Sequence, residues 1–184
     1  MRRFLYSTKD YRVKAGGDSE FVFEGYGAIF GKRDRQGDVI ERGAFAETID
    51  QNGGKFPLVA DHELGDLTKR LGVAYADPDR KGVRVTGYIN TETQAGADAA
   101  SDIRFSQKHA EPIGLSFGYD VTDHRFGSEG RKLKGLDVYE WSVTQVPAQP
   151  DAKVTETKRC SGPWCAREDA RMQKAFDRVE QAIG

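Results

Sequence analysis

Short stretches of alternating apolar and polar residues run through most of the chain, separated by turns that contain glycine or proline. Phe21 and Phe23 fall on one parity of the first stretch, and Val83 and Val85 repeat the pattern further along. A period of two is typical of a strand that turns one face to the core. The pattern predicts strands at 21–30, 56–61, 70–76, 82–89, 112–122 and 138–144.

Two segments have helical spacing instead. The segment 44–51 ends at Asn52-Gly53-Gly54, where glycine can take the left-handed conformation that ends a helix. The segment 93–109 carries small and apolar residues on one broad side. Together these elements predict an α+β fold, mainly β, in which an antiparallel sheet closes into a small barrel with the helices outside.

A third helical pattern lies near the C-terminal end, after a linker at 149–164 that contains proline and glycine. Met172, Phe176 and Val179 repeat at helical spacing among charged residues, which indicates an amphipathic helix. This helix either packs back onto the domain or serves as a docking or propeptide-like tail. We therefore divide the chain into a main domain, 1–154, and a linker with a C-terminal helix, 155–184.

Composition and charge exclude several classes of protein. The 184 residues include 28 Lys+Arg and 29 Asp+Glu, with a net charge of -1, whereas nucleic-acid binding needs clustered excess positive charge. The apolar runs are far shorter than the roughly 20 residues that span a bilayer, and the N-terminus has no apolar signal segment. We expect a cytoplasmic protein with neither nucleic acid nor membrane as a partner.

The two cysteines offer little chemistry. Cys160 and Cys165 are separated by four residues, which is neither a redox pair nor a zinc knuckle, and no second pair of ligands accompanies them. We expect no metal and no cofactor.

His62 is the histidine best placed for catalysis. It follows an apolar run and shares the parity of Phe56 and Leu58, so we expect it on the groove-facing side of a sheet edge, partly desolvated. An imidazole there can act as a base, although a histidine at a strand end is more often structural. His109 and His124 lie among charged residues and are expected to be solvated.

Ser116 lies in a strand whose other face is apolar, and Gly114 and Gly118 flank it on its own face. Small neighbours leave room for an approaching peptide backbone, which suits a nucleophile. The letters Gly-Leu-Ser-Phe-Gly also fit the nucleophile elbow, but that motif needs a strand-turn-helix context, and here the strand continues. The alternative is a bend in the sheet with a bystander serine.

Glu140 lies in the middle of the segment 138–143. We expect Tyr139, Trp141 and Val143 to point into the core, which puts Glu140 and Ser142 on the opposite face. A carboxylate there needs a partner or water and could orient an imidazole. The alternative is a solvated face or an ion pair with a nearby Arg or Lys.

Four motifs in this order resemble the prohead proteases of tailed bacteriophages, the capsid maturation serine proteases related to herpesvirus assemblins. The resemblance covers 21–154. The motifs are Gly25-Tyr26-Gly27-Ala28-Ile29-Phe30 with the following Asp34, Gly37-Asp38-Val39-Ile40 and Gly43-Ala44-Phe45; Leu58-Val59-Ala60-Asp61-His62-Glu63; Gly114-Leu115-Ser116-Phe117-Gly118-Tyr119; and Val138-Tyr139-Glu140-Trp141-Ser142-Val143 leading to Val146-Pro147-Ala148.

This resemblance implies a serine endopeptidase with a small β-barrel, packaged inside the procapsid in the host cytoplasm. Such enzymes cut the scaffold or the N-terminal scaffolding segment of the major capsid protein, and often themselves. Carried over by motif, Ser116 is the nucleophile, His62 the general base and Glu140 the third member, where the herpesvirus relatives have a second histidine. The resemblance also allows a weak homodimer.

Other questions stay open on the residues alone. The oxyanion could be met by backbone amides near Gly118 or by a cation, Arg104 or Lys108. A non-enzymatic capsid-binding or scaffold-like barrel would use the same fold without a working site. A host hydrolase or esterase would need a deep apolar pocket, whereas a protease for extended chains would need a shallow groove beside the Ser116 strand.

Overall fold

A computed structural model of the chain describes residues 19–128 and 130–159. Within these residues, eight strands form one sheet, accompanied by two α-helices and a short 3-10 helix at Leu67–Lys69. No helix among the described residues combines the length and the apolar character that a membrane span requires. The elements are β1 Glu20–Ile29, β2 Asp38–Ile40, α1 Ala46–Asn52, β3 Lys55–Ala60, β4 Arg70–Pro78, β5 Gly82–Asn90, α2 Gln94–Lys108, β6 Gly114–Gly127, β7 Gly130–Thr144 and β8 Lys153–Arg159.

The six predicted strands and the first two predicted helices are confirmed, with ends that shift by a few residues except in β6 and β7, which are longer than expected. Helix α1 ends at Gly53, which takes a left-handed φ of 60°. Helix α2 begins after Thr93, whose side chain accepts a hydrogen bond from the backbone N–H of Gly96. Local signals therefore set both helix ends, as expected for capping residues.

Two strands were not predicted. Strand β2 has only three residues, too few to show a period. Strand β8, Lys-Val-Thr-Glu-Thr-Lys-Arg, is mostly polar and falls inside the predicted linker, but it pairs antiparallel with β1 from Tyr26↔Lys153 to Phe21↔Arg159. The predicted C-terminal helix and both cysteines lie outside the described residues.

The strand pairings form a ring. The order is β2-β7-β3-β4-β5-β1-β8-β6, and β6 also pairs with β7. The sheet is mixed rather than antiparallel as predicted, because β7 runs parallel to both β2 and β3. Since β3 and β7 are separated by β4, β5, α2 and β6, no tight hairpin constrains their relative direction.

An aromatic cluster holds β7 to α1 and β6 in the core. Trp141 is fully buried, and its ring stacks on Phe45 at 6.0 Å and contacts Phe117 at 5.1 Å. Gly27 lies so close to this ring that a Cβ there would come within 2.1 Å of it. The tight packing fixes the position of β7, the strand that carries Glu140.

Candidate active site

The residues predicted to carry chemistry meet where β7 runs between β3 and β6. On one side Val59 pairs with Ser142, and on the other Ser116 pairs with Ser142 and Gly118 with Glu140. Phe117 and Trp141 pack together on the core face. Ser116 and Glu140 therefore share the opposite face of the sheet, as the alternation predicted.

A β-bulge in β7 lies next to Glu140. Gly118 pairs with Glu140 but Tyr119 pairs with Val138, so Tyr139 is the extra residue. Val138 is buried and Tyr139 is 40% exposed. The prediction that Tyr139 points into the core is therefore wrong, because the bulge reverses the alternation at this point. Its hydroxyl bonds to Asp120, and that bond raises the pKa of Tyr139 to about 12.

His62 reaches the site through a turn rather than as part of the strand. Strand β3 ends at Ala60, and Asp61 and His62 both take positive φ, 46° and 64°. Such a conformation costs on the order of 1–3 kcal/mol for each non-glycine residue and persists only where the surroundings enforce it. The predicted partial desolvation is confirmed, since the His62 side chain is 43% exposed, but strand parity is not its cause.

The turn brings the His62 ring against the Glu140 carboxylate. His62 Nδ1 lies 2.7 Å from Glu140 Oε1, and the Glu140 side chain is only 2% exposed. This bond, helped by the negative charges of Glu140 and Asp61 and opposed by burial, raises the pKa of His62. The alternatives for Glu140, a solvated face or an ion pair with Arg or Lys, do not hold, because its partner is His62.

This contact also assigns the two ring nitrogens. An ionised carboxylate can only accept hydrogen bonds, so Nδ1 keeps its proton and donates a hydrogen bond to Glu140 Oε1. In the neutral ring Nε2 then has the free lone pair, and it can take a proton from a neighbour. Glu140 Oε2 is buried and has no hydrogen-bond partner among the described residues.

Ser116 lies on the neighbouring strand and is 7% exposed. Within the part of the chain that the structure describes, no hydrogen bond joins its hydroxyl to His62. His62 and Glu140 are therefore in direct contact. Ser116 lies on the adjacent strand β6, and the backbones of neighbouring strands are about 4.8 Å apart. Catalytic hydrogen bonds are often long without substrate.

The glycines beside Ser116 do not serve the purpose that the sequence suggested. A Cβ on Gly114 would come within 2.6 Å of Pro147, and one on Gly118 would come within 2.7 Å of Glu140 Oε1. Both positions are small because protein atoms occupy the space, so the interpretation that they clear a path for substrate is wrong. Gly118 instead makes room for the buried carboxylate.

Four further residues named in the sequence analysis have defined positions in the structure. His109 and His124 are exposed, as predicted. The guanidinium of Arg104 lies 4.7 Å from the ring centre of Phe21, so this candidate for the oxyanion site is engaged with β1. Ser142 was placed on the Glu140 face without a role, yet its hydroxyl accepts a hydrogen bond from the backbone N–H of His62 at 2.8 Å.

The chain resembles known proteins in both sequence and fold. The sequence profile of the caudovirus prohead serine proteases matches residues 9–162. The chain is 28% identical over 160 residues to the prohead protease of Enterobacteria phage HK97, covering 85% of this chain and 69% of that protein. Its fold superposes on varicella-zoster virus protease with a TM-score of 0.48 and 12% identity, covering 86% of this chain and 77% of the other.

The profile spans well over half of the chain, and its family name states the chemistry. The protein is a serine peptidase with a role in phage capsid maturation, as its motifs indicated. It belongs to the family of caudovirus prohead serine proteases.

Proposed function

We propose that this chain cleaves the capsid scaffold, or the N-terminal scaffolding segment of the major capsid protein, inside the procapsid, and that it also cleaves itself. Ser116 is the nucleophile, His62 the general base and Glu140 the residue that orients the base. The observation that supports this most strongly is the 2.7 Å contact between His62 Nδ1 and the buried Glu140, on the face of the sheet that also carries Ser116.

The proposed reaction has two stages. In the first, Ser116 Oγ attacks the scissile carbonyl carbon while His62 Nε2 takes the hydroxyl proton and then passes it to the leaving amine nitrogen, so that the C–N bond breaks. In the second, a water molecule attacks the acyl-enzyme, His62 takes the water proton and returns it to Ser116 Oγ, and the new carboxyl terminus leaves. Glu140 balances the positive charge that the imidazole carries in each stage.

Ser142 is the other serine on this face, and two observations favour Ser116 over it. Ser142 is fully buried, whereas Ser116 retains some exposure. The Ser142 oxygen is also occupied as the acceptor for the His62 backbone N–H. A nucleophile must have a free lone pair and access to the carbonyl carbon, and Ser116 meets both conditions better.

An extended polypeptide fits the surroundings of Ser116. Among the described residues, β6 pairs with β8 only at Gly114↔Lys153, so the β6 edge from Ser116 onward makes no ladder opposite β7. An extended chain can add to such an edge through backbone hydrogen bonds. The turn after His62 also exposes Leu64 and Leu67, apolar groups that could contact substrate side chains.

A small-molecule hydrolase would need a deep apolar pocket at its catalytic residues. One cavity of about 460 Å³ among the described residues lies away from His62, Ser116 and Glu140. That cavity is formed by Phe30, Gly31, Val39, Ile40, Glu41, Arg42 and Lys132.

The test is co-expression with the cognate major capsid protein, followed by intact-mass analysis of both chains. Wild type and Ser101→Ala, a control at an exposed serine on α2, should shorten the capsid protein, and Ser116→Ala should not. Circular dichroism establishes that Ser116→Ala is folded. If the capsid protein stays full-length in assembled procapsids with wild type, Ser101→Ala and Ser116→Ala alike, the proposed function is overturned. If Ser116→Ala still cleaves the capsid protein, Ser116 is not the nucleophile.

A further inference from the structure

Three hydrogen bonds attach the turn that carries His62 to β7. The backbone N–H of Asp61 donates to the Val143 carbonyl at 3.1 Å, and the His62 ring contacts Glu140. Between them, the backbone N–H of His62 donates to Ser142 Oγ at 2.8 Å. Of the three, only the bond to Ser142 Oγ joins the backbone of His62 to a side chain of β7.

The path of the chain explains why a side chain is used. Strand β3 runs parallel to β7, so that Val59 lies beside Ser142 and Ala60 beside Val143. After Asp61 the left-handed turn reverses the direction, and His62 comes back alongside Ser142 and Glu140. A chain that doubles back leaves the regular ladder, so its N–H needs an acceptor from outside the sheet, and the Ser142 hydroxyl supplies one.

The position of Ser142 links this turn to the nucleophile strand. Ser142 is fully buried and pairs across the sheet with Ser116. Its backbone is therefore tied to the Ser116 strand, while its side chain is tied to the His62 backbone. Ser142 thus connects the turn that carries His62 to the strand that carries Ser116.

We infer that Ser142 is a positioning residue that holds the His62 turn in the geometry required for proton transfer from Ser116. The inference rests on the proposed roles of His62 and Ser116. Ser142 is fully buried and bonds to the backbone of His62 rather than to its ring nitrogens, so its effect reaches the reaction through the orientation of His62. A misplacement of about 1 Å can cost about 100-fold in rate.

The experiment compares two buried hydroxyl groups. One belongs to Ser142 in β7, and the other belongs to Thr48, which packs against β7. Ser142→Ala removes the acceptor of His62 N–H. Thr48→Val is the matched control, because Thr48 Oγ1 is also buried and accepts a backbone N–H from β7, that of Val138 at 3.1 Å, but lies outside the site. Ser142→Thr keeps a hydroxyl and tests rescue.

Rates are measured on the major capsid protein. We expect Ser142→Ala to lower kcat by about 10- to 100-fold with KM changed less than about twofold, as for a misplaced catalytic group. Ser142→Thr should recover most of the rate, and Thr48→Val should keep kcat near wild type even where its Tm falls. A wild-type kcat for folded Ser142→Ala, or an equal loss of kcat in Thr48→Val, would overturn the inference.

A second measurement does not depend on cleavage. Nuclear magnetic resonance titration follows the His62 ring, assigned with His62→Gln, and Ser142→Ala should lower the pKa of His62 because the contact with Glu140 loosens. An unchanged titration would contradict the inference. If Ser142→Ala does not fold, Ser142→Cys replaces it, because a thiol is a weaker hydrogen-bond acceptor than a hydroxyl. This variant should lower both kcat and the pKa of His62, by less than the changes expected for Ser142→Ala.

The failure of the proposed function can be told apart from the failure of this inference. A fluorophosphonate probe, followed by peptide mass analysis, identifies the reactive serine in the wild type. Labelling at a serine other than Ser116 would refute the nucleophile assignment, while the titration of His62 would still decide whether Ser142 positions it.

Discussion

Gly118→Ala should damage catalysis while leaving substrate binding almost unchanged. Gly118 does not take positive φ, so alanine meets no backbone strain, and the loss of a glycine by itself stabilises a fold by about 0.4–1 kcal/mol. The difficulty is local, because the new Cβ would lie 2.7 Å from Glu140 Oε1, the atom that accepts the bond from His62.

The size of the effect follows from this contact. Ordinary van der Waals contact begins at 3.4 Å, so the carboxylate oxygen must move by about 0.7 Å, which lengthens or bends its bond to His62. Hydrogen bonds to charged groups contribute about 1.5–3 kcal/mol. At 1.36 kcal/mol for each factor of ten, the expected loss in kcat is about 10- to 100-fold.

The assay is the initial rate of capsid-protein cleavage over a range of substrate concentrations. Gly127→Ala is the matched control, because it lies on the same strand and its Cβ would find only ordinary contacts, the nearest at 3.6 Å from Lys132 Cε. A Gly118→Ala protein with raised KM and unchanged kcat would refute the reasoning and would show that the space serves substrate. Unchanged values of both would refute any role for the contact.

Two further predictions concern the charge of the site. Glu140→Gln keeps the size of the side chain but removes the carboxylate whose hydrogen bond and negative charge raise the pKa of His62. In the wild type the acid limb of the rate profile should lie above the ordinary histidine value of about 6.5, and in Glu140→Gln it should move to lower pH. The value of kcat should fall by up to about 10⁴-fold, as in triads whose acid becomes an amide. An acid limb that stays in place would exclude Glu140 as the partner that sets it. The raised pKa of His62 also stabilises the fold below about pH 6.5, and this contribution disappears as the pH rises through the folded-state pKa. The free energy of unfolding in urea should therefore differ more between wild type and His62→Gln at pH 5.5 than at pH 9, and equal differences would contradict the sign.

Much of the candidate site could be predicted from local patterns. Alternation in β6 and β7 put Ser116, Glu140 and Ser142 on one face, and that face is where they lie. The expectation failed at Tyr139, because a bulge depends on the register between β7 and β6. The residues of β7 alone do not indicate this register. It failed again in explaining Gly118, because a glycine can make room for substrate or for protein atoms, and only the packed structure distinguishes them.

Six strands and two helices could be predicted from the amino-acid sequence, because periodicity and capping act between residues that are close along the chain. The candidate catalytic residues His62, Ser116 and Glu140 could also be named from the sequence. Three features of the folded chain bring these side chains together: the parallel course of β7 beside β3, the reversal of the chain at Asp61 and His62, and the buried contact with Glu140. Each of these depends on pairing between segments about 80 residues apart, and no local pattern encodes such contacts.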